Sequence, residues 1–411
     1  MRRLRSKIAL GAIVACVAMI GYEHPASPQP AGGAHLIKLG AAISNTGNLA
    51  AEGKLTTDGY DFAVEWINAH GGVRVVGQTY TFAPIRYYDD ESKPAQSAAL
   101  IEKLVSEDRI GLILGPYSSD NTIAAAAVSS KYGAVLMADE GVAKSIWTSG
   151  NKNVVGPVIY DYQYMYPVVD ALLAARTGVK TVVMMHADDS FSVGVAEGAV
   201  AYLKEKGIRV LGDFQYPAAT TDVSSVLAQI KALHADALLS SGHVQDAILI
   251  TRQAKQNAID FKAMAFTVAP PTPDYVKALG KDAEDVIGPA PWLPQENFPD
   301  PYWGSTQKFV AAFKAKYGFV PDYHVGNAVI GMELFAQAIA RANSVDPARV
   351  GAAFLNVTYD SVGGPIHFDN NWHEDNQHGA AIQLQGGVPV PVWPAQYVKH
   401  LRYPMPSWAQ R

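Results

Sequence analysis

The stretch Leu112-Ile113-Leu114-Gly115-Pro116-Tyr117-Ser118-Ser119-Asp120-Asn121-Thr122 decides how the chain is read. An apolar run stops at Gly115-Pro116, hydroxyl and amide side chains follow at once, and an alanine-rich helical segment opens at Ile123. The start of such a helix carries unpaired N–H groups and partial positive charge. In an open α/β sheet, the crevice beyond the strand ends is where ligands bind. Ser119, Asp120 and Asn121 all suit an N-cap. Alone, the stretch fits a plain cap and a ligand contact equally well.

The same alternation spreads outward from it. Residues 36–43 form an apolar run ending at Ser44-Asn45-Thr46-Gly47, and 59–68 have helical spacing with Phe62 and Trp66 on one side, closed by Gly71-Gly72. Strand-like 80–88, amphipathic 93–106, strand 110–114, helix 121–132 and strand 134–137 follow. A second series starts after Gly156-Pro157, with helices over 162–176, 193–206, 223–233 and 245–257. Between them fall strands over 181–186, 209–214, 237–240 and 263–267. Strands alternating with helices give parallel sheets, and two series give two doubly wound lobes. The last part breaks this rhythm, with helices at 305–317 and 325–342 and strands at 366–368, 380–385 and 388–393.

Bulk properties agree with a two-domain globular chain. There are 411 residues, 49% hydrophobic and 17% charged, with a formal net charge of −5. That charge gives no support for nucleic-acid binding. Arg2, Arg3, Arg5 and Lys7 precede an apolar run over 8–20, which reads as an export signal over 1–24. The run is short for a membrane span of roughly 20 residues. A Pro/Gly-rich linker over 25–35 follows. The single cysteine, Cys16, lies inside the signal, so the body has no internal disulfide and no cysteine-ligated zinc. Ile13-Val14-Ala15-Cys16 resembles a bacterial lipobox, which would make Cys16 a lipid anchor, but the apolar run continues beyond it through Val17 to Ile20.

Catalytic templates fail. No dinucleotide or P-loop glycine pattern and no nucleophile elbow is present, and Ser119-Asp120-Asn121 spells the S-D-N triplet without its partners. The segment His367-Phe368-Asp369-Asn370-Asn371-Trp372-His373-Glu374-Asp375-Asn376-Gln377-His378 is rich in ligand types without a set spacing, and reads as a solvated turn rather than a metal site. Asp89-Asp90 and Asp188-Asp189 each follow a strand. Tyr160, Tyr162, Tyr164 and Tyr166 form a dense amphipathic group, part of which reads as helix packing.

From about residue 37 to 393 the chain resembles a periplasmic-binding-protein type I solute receptor of the leucine/isoleucine/valine-binding group, which serves ABC importers. The marks are 59–68 with Gly71-Gly72, Tyr88-Asp89-Asp90 with Lys93-Pro94, and Gly115 to Ser119. Further on come His186-Ala187-Asp188 leading to Gly194, and Gly364-Pro365-Ile366-His367-Phe368-Asp369. No single mark is specific; their order is. The resemblance implies two Rossmann-like lobes joined by a three-crossover hinge near 156–157, 288–291 and 359–363. Lobe one is expected over 36–156 plus 289–359, and lobe two over 157–288 plus 360–411.

It also implies a site. Ser119 matches the family serine that holds a ligand carboxylate, with Ser118 and Tyr117 beside it. The second contact loop matches Asp139, Glu140, Gly141 and Val142, where Val142 stands in place of a frequent threonine and two acids are added. The tyrosine of the first strand–helix loop matches Glu52. In the second lobe the family's aromatic matches Phe191, the next contact His243, and the acid that pairs with an α-ammonium falls near Val268, which offers no carboxylate. An unpaired ammonium in a closed cleft is costly, so Glu52, Asp139 or Glu140 would have to substitute. The expected function is an exported, periplasmic receptor that closes on a small organic solute for an importer permease, without catalysis, cofactor or metal. Branched-chain or hydrophobic amino acids lead; an aromatic acid, an amide, or a sensing role is the alternative.

Overall fold

The computed structural model describes residues 35–374 and 379–411. The expected signal with Cys16, the linker up to residue 34, and Asp375 to His378 of the ligand-rich segment lie outside the described residues.

Two sheets organise the chain. The first is wholly parallel, in the order Arg86–Asp89, Gly40–Ile43, Leu112–Leu114, Val135–Met137, Val154–Val155. The second starts with the same pattern, Arg209–Tyr216, Thr181–Ala187, Ala237–Ser241, Ala263–Phe266, Ile287–Ala290, and is extended by the antiparallel strands Ala380–Gln385 and Val388–Trp393. Leu112–Leu114, Val135–Met137 and Ala237–Ser241 are buried along their whole length. Continuous apolar strands are what a parallel sheet covered on both faces requires. In each sheet the order reverses beside its first strand. The crevices therefore open past Ile43 and Leu114 in one sheet, and past Ala187 and Ser241 in the other. The expected α/β class with doubly wound sheets is the observed one.

Several elements differ from their sequence reading. The first helix runs Ala50–Ala69, beginning well before the periodic stretch at 59. Gly53 and Gly59 hid it, and both are needed for close approach. A Cβ on Gly53 would sit 2.2 Å from the Ser44 carbonyl oxygen, and one on Gly59 2.7 Å from Ala328 Cβ. The run 80–88 is two strands, Gln78–Phe82 and Arg86–Asp89, in different sheets. Expected helix 162–176 is a 3₁₀ turn, Asp161–Gln163, followed by Tyr166–Ala174 with Pro167 in its first turn, where its missing N–H costs nothing. Gly364–Phe368 pairs with Val357–Ser361, a strand the alternation did not reveal.

The chain passes between the sheets after Val155, after Ala290 and before Ala380. The first and last passages touch: Gly156 N–H donates to the Trp372 carbonyl and Glu374 N–H to that of Gly156, at 2.9 and 3.0 Å. His373 between them is buried, its ring stacked on Tyr160 with centroids 3.8 Å apart and edge-on to Trp147 at 4.3 Å. Burial pushes its imidazole down to about 4. An unfolded histidine takes up its proton near pH 6.5. Between roughly pH 6.5 and 4 the unfolded chain thus binds a proton that the folded chain refuses, and stability drains away as pH falls through that window. His373→Phe should remove this contribution. The melting-temperature gap between the wild type and the variant, measured from pH 7 to 4, should shift in the variant's favour as pH drops; a constant gap would refute the assignment.

Candidate ligand-binding cleft

The two crevices face one small cavity. Tyr117, Ser118 and Ser119 reach it from beyond Leu112–Leu114, and Glu140 and Val142 from beyond Val135–Met137. From the second sheet come Phe191, His243 and Val268, each following the end of a strand. Tyr164, Tyr323 and Asn327 complete the wall.

The opening stretch has a different cap from the expected one. Ser118, not Asp120 or Asn121, is the N-cap of helix Ser119–Tyr132: it adopts φ 76° and its side chain accepts from Asn121 N–H at 3.4 Å. Asn121 turns its amide to Asp90 at 2.9 Å, and Ser44 donates to the same carboxylate at 2.7 Å. Ser119 is then free to brace the neighbouring loop. Its Oγ accepts from the N–H groups of Val142 and Ala143 at 3.1 and 3.0 Å. With both acceptor sites occupied, its own hydroxyl proton remains to be donated into the cavity.

The carboxylates behave differently from one another. Glu52 does not line the cavity; it is fully buried, and its Oε1 accepts from Val244 N–H at 2.9 Å, at the first turn of helix Val244–Gln256. It thus ties the first sheet's helix to the second sheet's. Tyr117 makes a parallel tie, its hydroxyl 3.0 Å from His243 Nδ1. Asp139 also lies behind the wall, where Tyr60 donates to it at 2.6 Å and burial pushes its carboxyl well above the usual range. Gly141 is a packing position, because a Cβ there would meet Thr122 Oγ1 at 2.4 Å. Glu140 alone among these acids lines the cavity. It is 7% exposed, and its Oε1 has no hydrogen-bond partner among the described residues. Burial, followed by the charges of Asp139 and Asp322, pushes its carboxyl well up, against the pull of Asn327 and Thr56. No lysine or arginine among the described residues lines the cavity.

Of the sequence-derived residues, eight share this cavity, while Glu52, Asp139 and Gly141 stand behind it. Sequence reading missed Tyr323 and Asn327, which sit in the first turns of helix Tyr323–Ala342, and assigned no role to Tyr164. The tyrosine cluster was a signal for Tyr164. Tyr323 and Asn327 had none, since their helix is brought to the site by packing between distant parts of the chain, most extensively on Ala50–Ala69. The cavity itself is about 20 Å³, against roughly 10–15 Å³ for one water, so a solute must widen it.

A family model described as "Periplasmic binding protein" matches residues 36–387. The chain belongs to the periplasmic binding protein family. It is 27% identical over 389 residues to the "Leu/Ile/Val-binding protein homolog 7" of Brucella suis biovar 1 (strain 1330), covering 90% of this chain and 94% of that protein. It is 25% identical to the "Leucine-, isoleucine-, valine-, threonine-, and alanine-binding protein" of Pseudomonas aeruginosa, with 83% and 91% covered. Two solved structures each superpose with a TM-score of 0.75. One is the branched-chain amino acid transporter substrate binding protein LivJ of Streptococcus pneumoniae in complex with isoleucine, 20% identical, covering 87% of this chain and 99% of that one. The other is an ABC-transporter solute binding protein of R. palustris in complex with benzoate, 19% identical, covering 88% and 96%. Both establish the fold of the type I periplasmic binding proteins. Family and fold are those of extracytoplasmic solute receptors, which are not enzymes, and among the described residues no helix is long and apolar enough to cross a membrane.

Ser119→Ala strips two buried N–H groups of their shared acceptor. A buried donor left unsatisfied costs about 1–3 kcal/mol, so the variant should lose at least about 2 kcal/mol in urea denaturation. An unchanged midpoint would show that Ser119 does not brace the 142–143 loop.

Proposed function

We propose that this chain is the periplasmic receptor of a branched-chain or hydrophobic amino-acid-type importer, and that it holds one zwitterionic amino acid between two lobes. The observation that carries the reading is Glu140, a buried carboxyl with an unpartnered oxygen in a cavity whose described lining holds this acid and no lysine or arginine. An α-ammonium supplies the missing donor. Glu140 thus takes the role that Val268 lacks. The Ser118 and Ser119 hydroxyls, at the start of helix Ser119–Tyr132, are placed to receive the carboxylate, where the helix dipole favours negative charge. An aromatic acid carries the same carboxylate without the ammonium, and so brings no donor that would take the proton's place on Glu140. The open oxygen of Glu140 therefore favours the amino acid.

The moving parts are lobe one, 36–156 plus 289–359, and lobe two, 157–288 plus 360–411. Glu52 with Val244 and Tyr117 with His243 are the contacts that closure makes. A solute favours the closed form only by its extra affinity for it, and the closed form is what a permease would engage.

A thermal-shift panel tests the class. Leucine, isoleucine, valine or another hydrophobic amino acid at a hundred times its Kd should stabilise by about 2.7 kcal/mol, whereas benzoates should shift the curve little. The reverse ranking would sink the amino-acid reading. Glu140→Gln keeps the shape and removes the charge. Charge-assisted hydrogen bonds contribute about 1.5–3 kcal/mol, so amino-acid affinity should fall roughly tenfold to a hundredfold. The pH dependence has a fixed sign. Because the empty-site carboxyl is raised, an incoming ammonium displaces its proton, so affinity rises with pH until Glu140 is ionised in the free protein. Titration calorimetry should show that slope in the wild type and lose it in the glutamine variant.

A further inference from the structure

A second and larger space lies beside the cleft. It encloses about 610 Å³, within the range of small-molecule sites. Its walls come from the loop and first turn over 271–277, the passage over 290–295, the segment 319–323 and the hairpin turn at 387–389. They are mostly apolar, with Val276, Trp292, Leu293 and Ile382 inside. Val320 and Val388 stand on the rim and are 46% and 57% exposed, large apolar side chains left in solvent. Lys277 is the one cation among its described lining residues, and its side chain stands on the exposed face of its helix.

Tyr323 lines both spaces. Its ring stacks on His324 with centroids 4.0 Å apart. One aromatic side chain is thus the common wall between a cavity of about 20 Å³ and a chamber of about 610 Å³. Val268, in the cavity, and Pro271, in the chamber, lie on one loop, so the two spaces share a floor as well. The small cavity has hydrogen-bonding groups and a carboxyl with one unpartnered oxygen, but no volume for an aliphatic side chain. The chamber has the volume and the apolar surface, but few polar groups.

We propose that the chamber is a tail subsite and that Tyr323 is its gate. The solute's amino-acid head sits at Glu140 and Ser119, and an elongated apolar or aromatic side chain passes Tyr323 to lie against Val276 and Trp292. This rests on the amino-acid reading above and narrows it to long-chain or aromatic amino acids over small ones.

The test is titration calorimetry with straight-chain 2-amino acids of four to ten carbons, on the wild type, Val276→Trp and Val388→Trp. Neither valine touches the head cavity; the first variant fills the chamber from its wall, and the second, at an exposed position that tolerates bulk, from its rim. In the wild type, affinity should rise with length by up to about fourfold per buried methylene. Both variants should lose that gain while binding the four- and five-carbon members within about twofold of wild type, which also shows that they are folded. Affinity that is flat with length, or that rises equally in the tryptophan variants, overturns the tail subsite and leaves the amino-acid reading standing. Absence of binding at every length overturns the amino-acid reading and the subsite with it.

Discussion

A single buried carboxylate joins the two sheets. Glu52 leaves a helix of the first sheet and caps the helix that starts at Val244 on the second, accepting an N–H where that helix carries partial positive charge. The contact sets the two strand-end crevices face to face. Tyr117 and His243 repeat the link a few residues away. Without such bridges each sheet would present half a site, since no one sheet supplies the hydroxyls, the acid and the aromatic wall together.

The acids around the cleft are handled in three ways, and the contrast gives Glu140 its meaning. Burying a carboxylate without compensation is costly. Glu52 is met by a helix N-terminus. Asp139 is met by the Tyr60 hydroxyl and held toward its neutral form by burial. Glu140 is drawn on by Asn327 and Thr56. Each of the three acids keeps one oxygen without a partner among the described residues, but only Glu140 belongs to the cavity wall, where a donor from outside can reach it.

Much of this was legible locally. The strand–turn–helix pattern singled out Tyr117 to Ser119, the resemblance to the family added Val142, Phe191 and His243, and the structure brings all of them to one cavity. What was hidden depends on distant packing. Helix Ala50–Ala69 was obscured because Gly53 and Gly59 look like helix breakers, though they exist for contacts with Ser44 and Ala328. Asn327 and Tyr323 reach the site from a helix more than two hundred residues from the opening stretch. Asp139, Glu140 and Gly141 are neighbours in sequence, yet only Glu140 lines the cavity, because backbone direction at a strand end decides that. The N-cap is Ser118, one residue ahead of the candidates Ser119, Asp120 and Asn121, and its own side chain makes the capping bond with Asn121 N–H.

The placement of the acid also bears on what drives closure. Under the amino-acid reading, Glu140, Ser118 and Ser119 all follow strands of the first sheet, so both charged ends of the solute are held by one lobe. Contacts to one lobe alone are the same in open and closed forms, and so shift no population. The differential affinity must then come from Phe191, His243 and Val268 across the cleft, none of which presents a carboxylate or an arginine to the cavity. Head-group charge would secure the solute, and side-chain contact would close the receptor around it. Specificity then resides in the apolar part of the ligand.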